Sequence, residues 1–165
     1  VAAIREHMPE VLIEILIPDF WGDRCGLWVV LEAGPHVLNH NVETVPRLYP
    51  VARPEASYDR SLGLLRRSGE IKAMIPTKSG LMLGLGETDG EIETTLRDIV
   101  DTGCSILTLG QYLQPSKKHL PVERFVPPDE FDKWRDYAHR IGFSAVASGH
   151  FVRSSYRAKE LYKTI

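Results

Sequence analysis

Short apolar runs alternate with helical hydrophobic patterns about every thirty residues, and this rhythm restricts the fold more than any other feature of the chain. Leu12 to Ile17 reads as a strand, followed by a helix whose buried stripe is Leu27, Val30 and Leu31 and which Gly34-Pro35 closes. Val37 to Asn41 is the next strand. Ser57 is placed to cap a helix carrying Tyr58, Leu62 and Leu65 as far as Gly69. Lys72 to Ile75 then begins a strand, with Gly80 to Leu83 at its far end or just beyond. Thr88 and Glu91 form a capping box for a helix with Ile92, Leu96, Ile99 and Val100 on one face, ended by Gly103. Ile106 to Leu109 is a strand, Gln111 to Val126 a long loop or arm, and Pro127-Pro128 precede a helix with Phe131, Trp134, Ala138 and Ile141 toward the core. Ser144 to Ala147 is the last strand.

Such a series of four or five βα units is an α/β chain with a parallel sheet. No low-complexity linker divides it, so residues 1–165 are expected to form one domain. An open parallel edge leaves backbone donors and acceptors that another segment must cover, and the expected cover is N-terminal.

Composition excludes several function classes. A formal charge of −2 over 165 residues provides no basic field for a phosphate backbone, so nucleic acid is not an expected partner. The longest apolar stretch, Val11 to Ile17, is broken by Glu14 and is too short to span a bilayer, and no secretory pattern opens the sequence. No membrane partner is expected, and a cytoplasmic location is. Cys25 and Cys104 lie far apart with no metal-ligand spacing, whereas an iron–sulfur cluster needs three or four ligands. Both read as ordinary thiols of a reducing compartment.

Three segments carry candidate chemistry. Gly80-x-Met82-x-Gly84-x-Gly86-Glu87 sets glycines at the carboxyl end of a strand just before a capped helix, where backbone amides in βα folds face ligands. The alternative is a glycine-rich turn with no ligand, in which Glu87 is a helix N-terminal charge. In His40-Asn41-Val42-Glu43-Thr44, an amide and a carboxylate two positions apart share one face of an extended strand and suit a ribose diol or an α-amino group. Polar residues ending a strand at the surface are the alternative. His36 and His40 would stand roughly 13 Å apart on such a strand, too far to share a metal. Gln111-Tyr112-Leu113-Gln114-Pro115-Ser116 offers amides beside apolar side chains, and Arg153-Ser154-Ser155-Tyr156 taken alone is a polar turn.

Taken together and in order, Lys78 to Glu87, Gln111 to Ser116 and Arg153 to Tyr156, with His40 to Thr44 as H-N-x-E-T, closely resemble the carboxyl-terminal half of lipoyl synthase, a radical S-adenosylmethionine enzyme. The resemblance implies a partial (βα)6 barrel of which this chain is the second half. It implies insertion of sulfur at C6 and C8 of a protein-bound octanoyl-lysine, with S-adenosylmethionine and two four-iron four-sulfur clusters as cofactors. By the same resemblance Asn41, Glu43, Lys78, Gly80, Met82, Gly84 and Glu87 lie at S-adenosylmethionine. Gln111, Tyr112, Gln114 and Arg153 lie along the substrate channel, and Ser155, with Ser154 as the alternative, gives an oxygen ligand to the sacrificial cluster.

The implied partners are octanoylated lipoyl domains of 2-oxoacid dehydrogenase E2 subunits or the glycine cleavage H protein, and an electron donor such as ferredoxin or flavodoxin. The implied location is the cytoplasm, or the mitochondrion in a eukaryote. Two departures accompany the resemblance. Neither cysteine motif of the family, C-x3-C-x2-C or C-x4-C-x5-C, is present, so this stretch alone is expected to be inactive, and Ser148-Gly149-His150 replaces S-G-P. The alternative function is a noncatalytic module that binds a lipoyl carrier domain or another partner.

Overall fold

A computed structural model describes residues 1–165. In chain order its elements are α1 (Ala2–His7), β1 (Glu14–Leu16), α2 (Arg24–Glu32), β2 (Val37–Asn39), α3 (Tyr49–Ala52), α4 (Tyr58–Ile71), β3 (Thr77–Leu83), α5 (Asp89–Val100), β4 (Ile106–Gln111), α6 (Pro128–Ile141), β5 (Ala145–Gly149) and α7 (Ala158–Thr164). The five strands form one parallel sheet in the order β1-β2-β3-β4-β5. Each strand therefore pairs with its predecessor in sequence, with a helical crossover between, as parallel pairing requires.

The two faces of the sheet separate by residue parity. Leu81 and Leu83 of β3 and Leu107 and Leu109 of β4 meet Ile92, Leu96 and Ile99 of α5 and Phe131 and Trp134 of α6 in the main core. On this side α2, α4, α5 and α6 pack in succession. The opposite face carries the alternate residues in register, as the rows Lys78–Ile106–Ala145, Gly80–Thr108–Ala147 and Met82–Gly110–Gly149. Its lower part is covered by α7, whose Leu161 packs with Val37, Ile106, Ala145, Ala147 and Val152.

Helix starts are set by side chains that satisfy free amides. Asp23 accepts from the Cys25 and Gly26 amides at α2, and Ser57 accepts from the Arg60 amide at α4. At α5 both halves of the Thr88/Glu91 capping box form. Each such cap contributes about 1 kcal/mol.

Strand extents differ from the sequence expectation: β2 ends at Asn39, short of Asn41, and β3 starts late. Lys72 to Ile75 is a turn and β3 begins at Thr77, because α4 continues to Ile71 and the Lys72 and Ile75 amides bond back to Ser68 and Lys72. Pro76 then separates turn from strand. The short helices α1, α3 and α7 had no periodic signal long enough to announce them. No helix is long and apolar enough to cross a membrane.

Candidate functional site

The segment just past β2 and the middle of β3 and β4 build a polar floor on the face away from the main helices. Gly80 is its centre. A Cβ there would come within 2.6 Å of Thr108 Oγ1 and 3.1 Å of Asn41 Oδ1, so only glycine keeps the three neighbours level. Asn41 Nδ2 donates to Glu43 Oε1 at 3.1 Å, while Asn41 Oδ1 is buried without a partner. Glu43 takes a left-handed turn (φ 73°) yet stays in the ladder, its amide bonded to Gly80 O and its carbonyl accepting from the Met82 amide, both at 2.8 Å. Burial pushes the Glu43 carboxyl above its ordinary pKa, against the opposing pull of Asn41 and Arg53. Arg53 is held by Val42 O at 3.2 Å and by the Tyr49 hydroxyl at 3.3 Å, and that hydroxyl donates to Val42 O. The floor thus presents acceptors in want of donors, beside one guanidinium.

Next to the floor opens a cleft of about 890 Å³, with Met82 at its base. One side is the β1–α2 loop with Pro18, Asp19 and Trp21. The other is the 112–126 arm with Tyr112, Leu113, Pro115, Leu120 and Pro121. The Tyr112 hydroxyl donates to Leu120 O at 2.8 Å and so folds the arm back on itself over the cleft.

No protein-family model matches the chain. Curated relatives do. A lipoyl synthase of Thioalkalivibrio sulfidiphilus is 56% identical over 157 residues, covering 94% of this chain and 49% of that protein. One of Aeromonas hydrophila is 58% identical over 94% of the chain and 49% of its own length. One of Desulfotalea psychrophila is 54% identical over 99% and 54%. The chain is similar to lipoyl synthases over nearly its whole length. It spans about half the length of these relatives. A solved structure, that of methylornithine synthase, aligns with 73% of the chain and 32% of its own at a TM-score of 0.42 and 19% identity.

The residues that the lipoyl synthase resemblance singles out do not all lie at the site. Asn41, Glu43, Gly80 and Met82 share the floor, but three others are occupied elsewhere. Lys78 is fully buried one row below, and its Nζ donates to both carboxylate oxygens of Glu14 at 3.0 Å. Asn39 Nδ2 donates to the same carboxylate at 2.9 Å. Glu87 turns back so that its carboxylate accepts from the Gly84 and Leu85 amides, at 2.5 and 2.9 Å, and holds the glycine turn in shape. Gln111 is 2% exposed, and its amide is saturated by Tyr112 O, Arg124 O and the Val126 amide. It anchors the arm. Gly84 is glycine because a side chain there would run into Gln111 and the Arg124 carbonyl.

Gln114 is exposed and donates to His119 O within the arm, and Tyr112 is the one member of that group whose ring borders the cleft. Arg153 donates to Val152 O at 2.6 Å and His150 O at 3.3 Å, beside Gly110. His150 bonds Val126 O at 2.6 Å through Nε2 and so ties the end of the arm to β5. His36 and His40 each turn toward the β1 segment, bonding the Ile13 amide and Ile17 O. Sequence reasoning missed Arg53, Thr108 and Trp21, whose roles depend on strand register and loop shape.

The donor set does not hold an iron–sulfur cluster by itself. Cys25 is exposed and Cys104 buried, and no three His, Cys, Asp or Glu side chains converge on a metal position. Burial pushes the Cys104 thiol up to about 12, and it donates to Thr77 O. Ser154 is half-buried and Ser155 exposed, in the turn that leads from β5 to α7.

Proposed function

We propose that this chain is the carboxyl-terminal half of a lipoyl synthase, a radical S-adenosylmethionine enzyme that inserts sulfur at C6 and C8 of a protein-bound octanoyl-lysine. The observation that carries the proposal is identity of 54–58% to lipoyl synthases over 94–99% of the chain. The floor chemistry supports it. The buried, unpartnered Asn41 Oδ1 and the Glu43 carboxylate are acceptors of the kind a ribose diol or a methionyl ammonium requires. Gly80 keeps the floor flat enough for a planar base to approach the backbone. The cleft beside it, with Met82 at its base and the arm as its wall, is the channel for the octanoyl chain.

When bound, S-adenosylmethionine and the clusters supply the hydrogen abstraction and the sulfur. The parts of this chain bind, orient and exclude water. Asn41 and Glu43 position the cofactor, Tyr112 and the arm border the acyl chain, and Ser155 offers one hard oxygen ligand to the sacrificial cluster. Oxygen holds iron less firmly than thiolate does, which suits a cluster that is consumed. Two cysteines supply too few thiolates for either cluster, so the 165-residue chain alone is inactive and works with the other half of the enzyme. Its partners are octanoylated lipoyl domains or the glycine cleavage H protein, with ferredoxin or flavodoxin as electron donor.

The test pairs the chain with the remaining half of the Aeromonas hydrophila relative, reconstitutes the clusters without oxygen and adds an octanoylated lipoyl domain. Lipoyl product and 5′-deoxyadenosine from the same reaction support the reading. Tight binding of the lipoyl domain with neither product would favour a noncatalytic module.

A further inference from the structure

The loop between β1 and α2 contains two consecutive non-glycine residues in the left-handed region, Phe20 at φ 49° and Trp21 at φ 54°. Each costs about 1–2 kcal/mol, so the surroundings must impose the shape. Arg60 of α4 does so. Asp19 Oδ1 accepts from the Trp21 amide at 3.0 Å, and Asp19 Oδ2 accepts from Arg60 Nε at 2.8 Å. Arg60 Cζ stands 4.9 Å from the Trp21 ring centre, and Arg60 Nη2 donates to Glu55 O at 3.1 Å. One ring face therefore rests on a guanidinium whose charge Asp19 already balances.

The outcome is unusual for a tryptophan. Trp21 is 76% exposed, so packing within the chain does not account for it, yet a strained backbone, an ion pair and a cation–π contact fix it in place. It stands on the lip of the cleft, and the apolar side chains Leu113, Pro115, Leu120 and Pro121 of the arm line the same cleft. A rigid exposed aromatic at a cleft is pre-organised contact area, since its ordering cost is met before a ligand arrives. With Arg60 and Asp19 neutralising each other, what it offers the cleft is apolar surface.

We infer that Trp21 is the near wall of an acyl slot, against which the methylenes of a medium-length chain on a neutral amide lie, with the leucines and prolines of the arm lining the same slot. The inference rests on the reading of the cleft as the substrate channel and adds the residue that sets affinity for the chain.

The test uses Nε-octanoyl-lysine amide as probe and Nε-acetyl-lysine amide as control, measured by titration calorimetry and by emission from a Trp28→Phe background. In that background the remaining indoles are Trp21 and the fully buried Trp134. The octanoyl probe is expected to bind saturably and shift the emission to the blue, and the acetyl probe to do neither. Trp21→Gly removes the indole while glycine accepts the left-handed backbone, so its thermal midpoint should equal or exceed the parent's. Its octanoyl affinity should fall roughly tenfold, a contact loss of one to two methylenes' worth of burial. Trp21→Phe should stay within about threefold of the parent. Unchanged octanoyl affinity in Trp21→Gly overturns the inference and leaves the channel reading standing. A lowered thermal midpoint with unchanged affinity assigns the indole to structure alone and overturns it too. Absence of saturable octanoyl binding to the parent chain refutes the inference and the channel reading together.

Discussion

Glu14 and Lys78 form a buried ion pair whose two halves are not equivalent, and the difference makes a quantitative prediction. The Lys78 side chain is 0% exposed, whereas that of Glu14 is 19% exposed and also accepts from Asn39. Glu14→Leu leaves an ammonium enclosed by protein with no counter-charge. Breaking a buried pair in this way costs about 3–5 kcal/mol. Lys78→Met keeps the apolar stem and leaves a carboxylate that water reaches and Asn39 still serves, for a cost of about 1–2 kcal/mol. The double variant removes both desolvation penalties, and its stability should lie at or above that of the parent. With a urea slope of about 2 kcal/mol per molar, Glu14→Leu should lower the midpoint by roughly 1.5–2.5 M and Lys78→Met by less than about 1 M. Urea titrations followed by circular dichroism at pH 7 measure all four proteins. If Lys78→Met costs as much as Glu14→Leu, or the double variant is the least stable, the assignment of the penalty to the enclosed ammonium is wrong.

Other consequences can be checked alongside. Burial raises the Glu43 carboxyl, so its ionised form is disfavoured in the fold and stability falls as pH rises above the ordinary 4.5. Glu43→Gln should therefore raise the thermal midpoint at pH 7 while weakening S-adenosylmethionine binding in the two-half assembly, and a lower midpoint would contradict this. Arg47 and the Thr88 amide hold the Glu91 carboxyl down to about 2, so its contribution is present above 4.5 and lost as pH falls toward 2. Acid titration of Glu91→Gln should show a shallower loss across that window than the parent. In the two-half assembly, Ser155→Ala should abolish lipoyl product while leaving 5′-deoxyadenosine formation, with Ser154→Ala as control. Normal lipoyl yield in Ser155→Ala removes that ligand assignment. Anaerobic reconstitution of the 165-residue chain alone should give no stoichiometric iron, and a four-iron absorption spectrum would refute the donor count.

The βα rhythm was legible because it rests on local signals. Period-two and period-3.6 hydrophobicity and the Thr88/Glu91 box lie within a few residues of one another, and each element they announce is present, with β3 starting at Thr77 and not at Lys72. The floor was partly legible for the same reason, since Asn41 and Glu43 lie two positions apart just past β2. What escaped was set by pairing between distant segments. Lys78 could be placed on a strand, but that Glu14 lies within its reach follows from the registers of β1 with β2 and β2 with β3. Gln111 looked free to meet a ligand until the arm closed and used every atom of its amide. The α7 helix is seven residues long, and its position across the second sheet face is fixed by Leu161 and Tyr162, adjacent residues that carry no periodic signal.

The sheet order β1-β2-β3-β4-β5 also bears on how the chain is made. Each strand finds its partner in the segment synthesised just before it, so no pairing waits for residues far downstream. Structure can accrete one βα unit at a time as the polypeptide leaves the ribosome, with the edge of each new strand exposed only until the next arrives. The two outermost strands are the exceptions. The outer edges of β1, where Leu16 is 58% exposed, and of β5 meet no later strand of the sheet. Those two edges, and not the three strands between them, are where this growth leaves backbone groups open to aggregation.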